Sequence, residues 1–178
     1  MIPLIAHTAR LTLLATSRAL LTAELHKPQY FPVLLGAVLP ADWRPGSTDR
    51  AELERQLALL TAEGRAAAGW YCWYALRNAD ATAPRTLVGA GGFLGPPIVA
   101  GTAEITAAIA ADWRGQGLGT ELVAGLVQQA AATGLVRHLR ARAAPTDAAA
   151  RQTLLRNGFE PAEAEDDLLF RRAVPPAG

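Results

Sequence analysis

Cys72 is the only cysteine in the 178 residues, which excludes an internal disulfide and a cysteine-based zinc site and favours a reducing compartment. Lysine is as scarce: Lys27 stands alone, and every other cationic side chain apart from histidine is arginine. A nucleotide P-loop needs a lysine directly after its glycine turn, so that motif is excluded. Neither sign of charge predominates, with 17 Lys+Arg against 16 Asp+Glu and a net charge of +1. A nucleic-acid binder usually carries a marked basic excess, so that partner is not expected. No run reaches the roughly 18 apolar residues of a membrane span. Residues 1–21 are apolar but interrupted by His7, Arg10 and Arg18, and no cationic start precedes an apolar run, so no secretory signal is read. A cytoplasmic protein with no membrane partner is expected. His7, His26 and His138 are scattered without ligand spacing, and no metal is expected.

What is present points to a folded chain. Hydrophobic residues make up 51% and charged residues 19%, the reverse of a disordered composition. The length suits one domain over residues 1–178 with a sizeable core. A Pro-rich tail, residues 173–178, is expected to fray.

Residues 11–15 read as a strand, and Thr16–Ser17 offer an N-cap to a helix over 18–26 with Leu20, Leu21 and Leu25 at helical spacing. A second short helix is expected within 28–40, and a turn at 45–47. Residues 49–63 form an amphipathic helix with Leu53, Leu57 and Leu60 on one stripe, ended by Gly64. The period then changes. Residues 70–77 and 86–94 read as a hairpin around turn chemistry at 78–85. Residues 103–110 form a third strand that leads into a glycine-rich loop. A long helix over 117–133 follows, with Leu118, Leu122, Leu126 and Ala130 inward and Gly134 at its end. A strand at 136–143, a helix at 147–156, and a last strand opened by Gly158-Phe159 complete the chain, with 168–172 set to pair with that last strand. The class is mixed α/β.

The loop is Arg114-Gly115-Gln116-Gly117-Leu118-Gly119. Between a buried strand and a long helix it presents backbone N–H groups at a helix N-terminus, where the helix dipole favours an anion. Gly117 and Gly119 let the backbone approach a phosphate, and Arg114 adds a charged donor. The plain alternative is an ordinary tight turn. A dinucleotide fingerprint fails: its sixth position is Thr120 rather than glycine, and Val136–Arg137 stand where an acidic residue belongs.

The pattern Arg/Gln-x-x-Gly-x-Gly/Ala fits, and with it the sequence resembles the GNAT superfamily of N-acetyltransferases. Ala103-Glu104-Ile105 on the preceding strand, Thr120-Glu121 after the loop and Gly158-Phe159 sit where that family has them. Thr8-Ala9-Arg10-Leu11 and Leu39-Pro40-Ala41-Asp42-Trp43 look like the subgroup of ribosomal-protein N-terminal acetyltransferases. The likeness covers roughly residues 8–172. It implies a mixed, mostly antiparallel central sheet with a splayed central strand pair, flanked by helices. It also implies acetyl-CoA as donor and a primary amine as acceptor, either a protein N-terminus or a small molecule. A homodimer is compatible with it, though the residues themselves do not report oligomeric state.

By the same resemblance, Ile109, Ala110 and Ala111 contact pantetheine, Gln116 to Thr120 (Gly117, Leu118 and Gly119 between) hold the pyrophosphate, and Arg114 and Gly115 belong to the same cofactor-binding set. Asp147 stands where the family has a pantetheine-contacting asparagine, and also reads as a helix N-cap. Glu104 is the candidate general base: an unpaired carboxylate on an apolar strand is costly, and an ammonium must lose a proton before it can attack. Its plain alternative is a glutamate paired with an arginine. Glu121 reads first as a helix-start carboxylate favoured by the dipole. Trp43 and Trp70 are candidates for lining an acceptor cleft, against the plain reading of core aromatics. Two departures stand out. Leu154 replaces the tyrosine and Ala150 the serine with which relatives protonate the leaving thiolate. The competing functional readings are a non-catalytic acyl-CoA-binding module and, against the charge balance, a nucleic-acid binder.

Overall fold

The computed structural model describes residues 3–41, 43, 47–162 and 169–175. Its elements run β1 (Ile5–His7), β2 (Leu11–Ala15), α1 (Arg18–His26), α2 (Phe31–Leu35), α3 (Ser47–Glu63), β3 (Cys72–Arg77), β4 (Thr86–Phe93) and β5 (Thr102–Ile109). There follow α4 (Leu118–Thr133), β6 (His138–Arg142), α5 (Ala148–Arg156), β7 (Glu160–Pro161) and β8 (Leu169–Ala173). The strands form one sheet in the order β1-β2-β3-β4-β5-β6-β8-β7. Among the described strands, β5 and β6 alone pair in parallel, joined by α4 as the crossover that parallel strands require.

The helices begin and end where their residues dictate. Ser17 caps α1 by accepting from the Leu20 N–H, and Asp147 caps α5 by accepting from the Ala150 N–H at 2.9 Å. Gly134, in the left-handed region, ends α4. The inward stripe of α4 is as its spacing predicts: Leu118, Leu122, Leu126 and Ala130 are all buried. They join Leu11, Leu13, Trp73, Phe159 and Phe170 in the main core. A smaller cluster of Leu20, Phe31, Leu35, Tyr74, Leu76 and Leu87 lies under α1 and α2.

Several expectations are refined. β1 was not foreseen, because three residues with Ala6 alone facing inward leave no readable period. The helix expected within 28–40 is only Phe31–Leu35, since Gly36 turns left-handed and ends it. β8 does pair with β7, through Glu160↔Arg171 and Pro161↔Phe170, but its longer partner is β6. The start of the expected tail is ordered: Ala173 pairs with His138, and buried Val174 donates its N–H to the Arg137 carbonyl. Residues 45–46 of the expected turn, residues 163–168, and residues 176–178 of the expected tail lie outside the described residues.

One departure from regularity positions the site. β5 runs eight residues, yet its pairing with β6 ends at Ile105↔Ala141, so residues 106–109 part from β6. On the other side that same half pairs with a glycine-rich stretch of β4, Gly91↔Ala107 and Gly89↔Ile109. A Cβ at Gly91 would lie 2.5 Å from the Thr106 carbonyl oxygen, and one at Gly89 2.4 Å from that of Ala108. The missing side chains let β5 lie close on β4 as it leaves β6.

Candidate functional site

A cavity of about 860 Å³ opens at the parting of β5 from β6. Its walls are β5 from Glu104 to Ile109, the loop and first turn of α4, and α5. Ile109, Arg114, Gly115, Gly117, Leu118, Gly119, Thr120 and Asp147 all line it. Ala110, Ala111 and Gln116 belong to the same turn without lining the cavity: the Ala110 N–H is bonded back to the Val88 carbonyl, and the Gln116 carbonyl accepts from Arg10.

The loop is built around two left-handed glycines, Gly115 (φ 75°) and Gly117 (φ 78°). L-residues with side chains seldom take that conformation. Gly117 is also the N-cap of α4, and it has no side chain with which to cap the first-turn N–H groups. A helix start with open donors and a favourable dipole is what a phosphate requires. A Cβ at Gly115 would meet nothing within 4 Å, so this edge of the loop stands open. Arg114 lines the cavity while its Nε donates to the Ile109 carbonyl at 2.9 Å, folding the side chain back onto the end of β5. Trp113 is a further wall residue, with the Arg77 guanidinium over its ring at 5.6 Å.

The loop is held from two sides. Asn157, buried, donates from Nδ2 to the carbonyls of Thr120 and Thr153, tying the end of α5 to the first turn of α4. On the other side Glu121 accepts from the Thr8 hydroxyl (2.6 Å), the Arg10 N–H (2.6 Å) and Arg10 Nε (2.7 Å). Burial alone would raise the Glu121 carboxyl. The hydrogen bonds from Thr8 and from the Arg10 backbone and side chain outweigh it and hold the group below its ordinary value. Glu121 is thus more than a helix-start charge, the role its position suggests.

Glu104 lies at the foot of the opening, one residue before the last paired position, and lines the cavity. Its Oε1 is 3.4 Å from Arg142 Nε, so the arginine pairing expected of a structural glutamate is present as well. The two readings coexist, because both side chains line the cavity. Arg140 and Arg142 share one face of their strand in the sequence reading, either meeting a CoA phosphate or pairing at the surface; the pairing of Arg142 with Glu104 is the structure's addition. The diagonal Glu104–Arg142 contact depends on the parallel register Glu104↔Arg140, and no local spacing reports that.

Two expectations are corrected or narrowed. Trp70 is only 5% exposed and packs edge-on against Phe93 in the core, so it does not face a cleft. Trp43 donates from its ring N–H to Glu24 at 2.8 Å and packs near Tyr74, away from the residues that line the cavity. Ala150 and buried Leu154 are the apolar side chains of an α5 wall that Gln152, Thr153 and Arg156 also line. Cys72 is half-buried. Among the described residues no cluster of His, Cys, Asp and Glu is placed to hold a metal, and no helix is long and apolar enough to cross a membrane.

Solved structures share this fold. The microcin C7 self-immunity acetyltransferase MccE, solved with acetyl-CoA and AMP, is 15% identical over 94% of each chain, with a TM-score of 0.59. RimL, a ribosomal L7/L12 alpha-N-protein acetyltransferase solved with coenzyme A, is 17% identical over 99% of each chain, with a TM-score of 0.59. The acetyltransferase from Salmonella typhimurium that modifies the N-terminal serine of ribosomal protein L7/L12 is 17% identical over 98% of this chain and 99% of its own, with a TM-score of 0.58. At such identities the likeness shows the fold alone. No curated protein matches the sequence. The family model described as acetyltransferase (GNAT) domain matches residues 22–160, most of the chain. The chain belongs to the GNAT acetyltransferases.

Proposed function

We propose that the chain, as one domain over residues 1–178, transfers an acetyl group from acetyl-CoA directly to a primary amine, and that a protein N-terminus is the acceptor. The observation that carries this reading is the meeting of the parted β5 edge with the open N-terminus of α4 in one cavity. The residues fit the donor. Residues 106–109 have an unpaired backbone edge toward β6 along which an extended arm can add as a strand, and the glycine loop offers N–H groups to a pyrophosphate. When bound, acetyl-CoA supplies a thioester carbonyl to which the amine nitrogen bonds as the carbon–sulfur bond breaks.

The rest falls to the chain's own residues. Backbone N–H groups of the β5 edge orient and polarise the acyl oxygen, and holding both reactants together replaces a bimolecular encounter. Glu104, directly or through one water, takes the proton that the ammonium must lose. The subgroup motifs at residues 8–11 and 39–43, and the activities named for RimL and the Salmonella enzyme, support an N-terminal amine as acceptor. A single thiol fits the cytoplasm.

The test is thiol release from acetyl-CoA with peptides bearing free N-termini, the same peptides blocked at the N-terminus, and amino acids, polyamines and aminoglycosides. Release with free but not blocked peptides is expected; release with small amines only would move the acceptor class. A second reading, a non-catalytic acyl-CoA-binding module, is favoured by the apolar side chains of Ala150 and Leu154. It predicts tight binding of CoA and no release with any amine.

A further inference from the structure

The glycine loop has a third support, and it comes from the opposite end of the sequence. We propose that Arg10, bridged to Glu121, is a positioning residue for the donor pyrophosphate. It fixes the peptide plane from which the loop presents its N–H groups. This rests on the reading of the loop as a pyrophosphate site.

Arg10 Nη1 donates to the Gln116 carbonyl at 2.9 Å, and its Nη2 lies 3.5 Å from where a Gly117 Cβ would stand. Across a trans peptide the carbonyl and the following N–H point in opposite directions. Anchoring the Gln116 carbonyl on Arg10 therefore turns the Gly117 N–H away from Arg10. Gly117 lines the cavity and Arg10 does not, so that direction is the cavity side. Without the anchor, this plane, between Gln116 and left-handed Gly117 and one residue beyond left-handed Gly115, is free to turn, and its ordering would have to come from binding itself.

Arg10 is itself held. Its side chain is half exposed, but Nε meets Glu121 Oε2 at 2.7 Å and its N–H meets Oε1 at 2.6 Å. Thr8 completes the set, donating its hydroxyl to Glu121 while accepting from the Leu11 N–H. The β1–β2 turn thereby grips the first turn of α4, and the arginine fork reaches on to the loop. A carboxylate so close to a polyanion site is electrostatically unfavourable for the ligand. A positioning role is a reason for its place there.

That conflict supplies a test of opposite sign. Calorimetric titration of the intact protein with CoA, and with pantetheine, which has no pyrophosphate, is compared for wild type, Arg10→Ala, Arg10→Lys and Glu121→Gln. The CoA dissociation constant should rise by about tenfold in all three variants, a usual size for coupling through a network, with pantetheine binding unchanged. Arg10→Lys keeps the charge but loses the fork, so it should resemble Arg10→Ala. Unchanged CoA affinity in the variants would overturn the proposal. So would tighter CoA binding by Glu121→Gln, which would make Glu121 a merely repulsive charge. Equal weakening toward CoA and pantetheine would mean general damage to the fold and would also overturn it. Failure of the wild type to bind CoA would remove the donor reading, and this proposal with it, before any variant is compared. Should Arg10→Ala not fold, Arg10→Lys and Glu121→Gln carry the test.

Discussion

Glu104 is the one side chain asked to perform chemistry on a proton, and its surroundings make the claim testable. It stands at the foot of the parted strands, paired with Arg142 inside the cavity. Glu104→Gln keeps the shape and removes the base, so turnover at saturating acceptor should fall on the order of 100- to 10,000-fold. A loss under about tenfold would sink the assignment. Glu121 gives a second residue-scale prediction, in pH. Its carboxyl is held below the ordinary 4.5, so the stabilisation it gives is present above that value and lost as pH falls through the folded value. The thermal midpoint of wild type should drop relative to Glu121→Gln as the pH goes below about 4.5, with a constant gap at neutral pH; parallel curves throughout would contradict this. The Glu104 candidate was legible because one carboxylate interrupts an apolar strand. The contact of Glu104 with Arg142 and the reach of Arg10 to Gln116 were not, since each joins segments far apart in the chain.

At the scale of elements, capping and close approach decide. Asp147 accepts from the Ala150 N–H, and Asp147→Ala should cost about 1 kcal/mol. In a domain of this size that lowers the midpoint by roughly 2–4 °C. Asp147→Asn should restore it, because asparagine caps as well as aspartate; equal losses for both would show that the cap is not the cause. Gly91→Ala would set a Cβ 2.5 Å from the Thr106 carbonyl oxygen, where backbone must move. It should destabilise by about 1–3 kcal/mol in urea unfolding, and a neutral result would deny that β4 is glycine-rich to admit β5. Most elements were readable from sequence. α1 shows helical spacing behind a serine cap, and α4 carries its leucine stripe between Gly117 and Gly134. The three-residue β1 and the five-residue α2 were less so, because so few residues carry no period to read. The exact point where β5 leaves β6 was not readable, because it arises from glycines on a third strand.

At the scale of the whole molecule, a glycine loop and a parted strand pair of the central sheet meet in one cavity, in a chain that belongs to the GNAT acetyltransferases. The fold class and the loop were legible because a glycine-rich turn between strand and helix is a local pattern. The acceptor side was not: the tryptophans chosen for it are satisfied elsewhere, Trp70 in the core and Trp43 on Glu24. The account therefore stands or falls on the donor. The most direct measurement is the thermal midpoint of the intact protein with acetyl-CoA, CoA, NADH and ATP added separately. A ligand at about 100 times its dissociation constant adds roughly 2.7 kcal/mol, which here is a rise of about 5–10 °C. That rise should occur with the two CoA species alone. No rise with CoA, or an equal rise with NADH, would contradict the reading of the glycine loop and the acetyltransferase mechanism built on it.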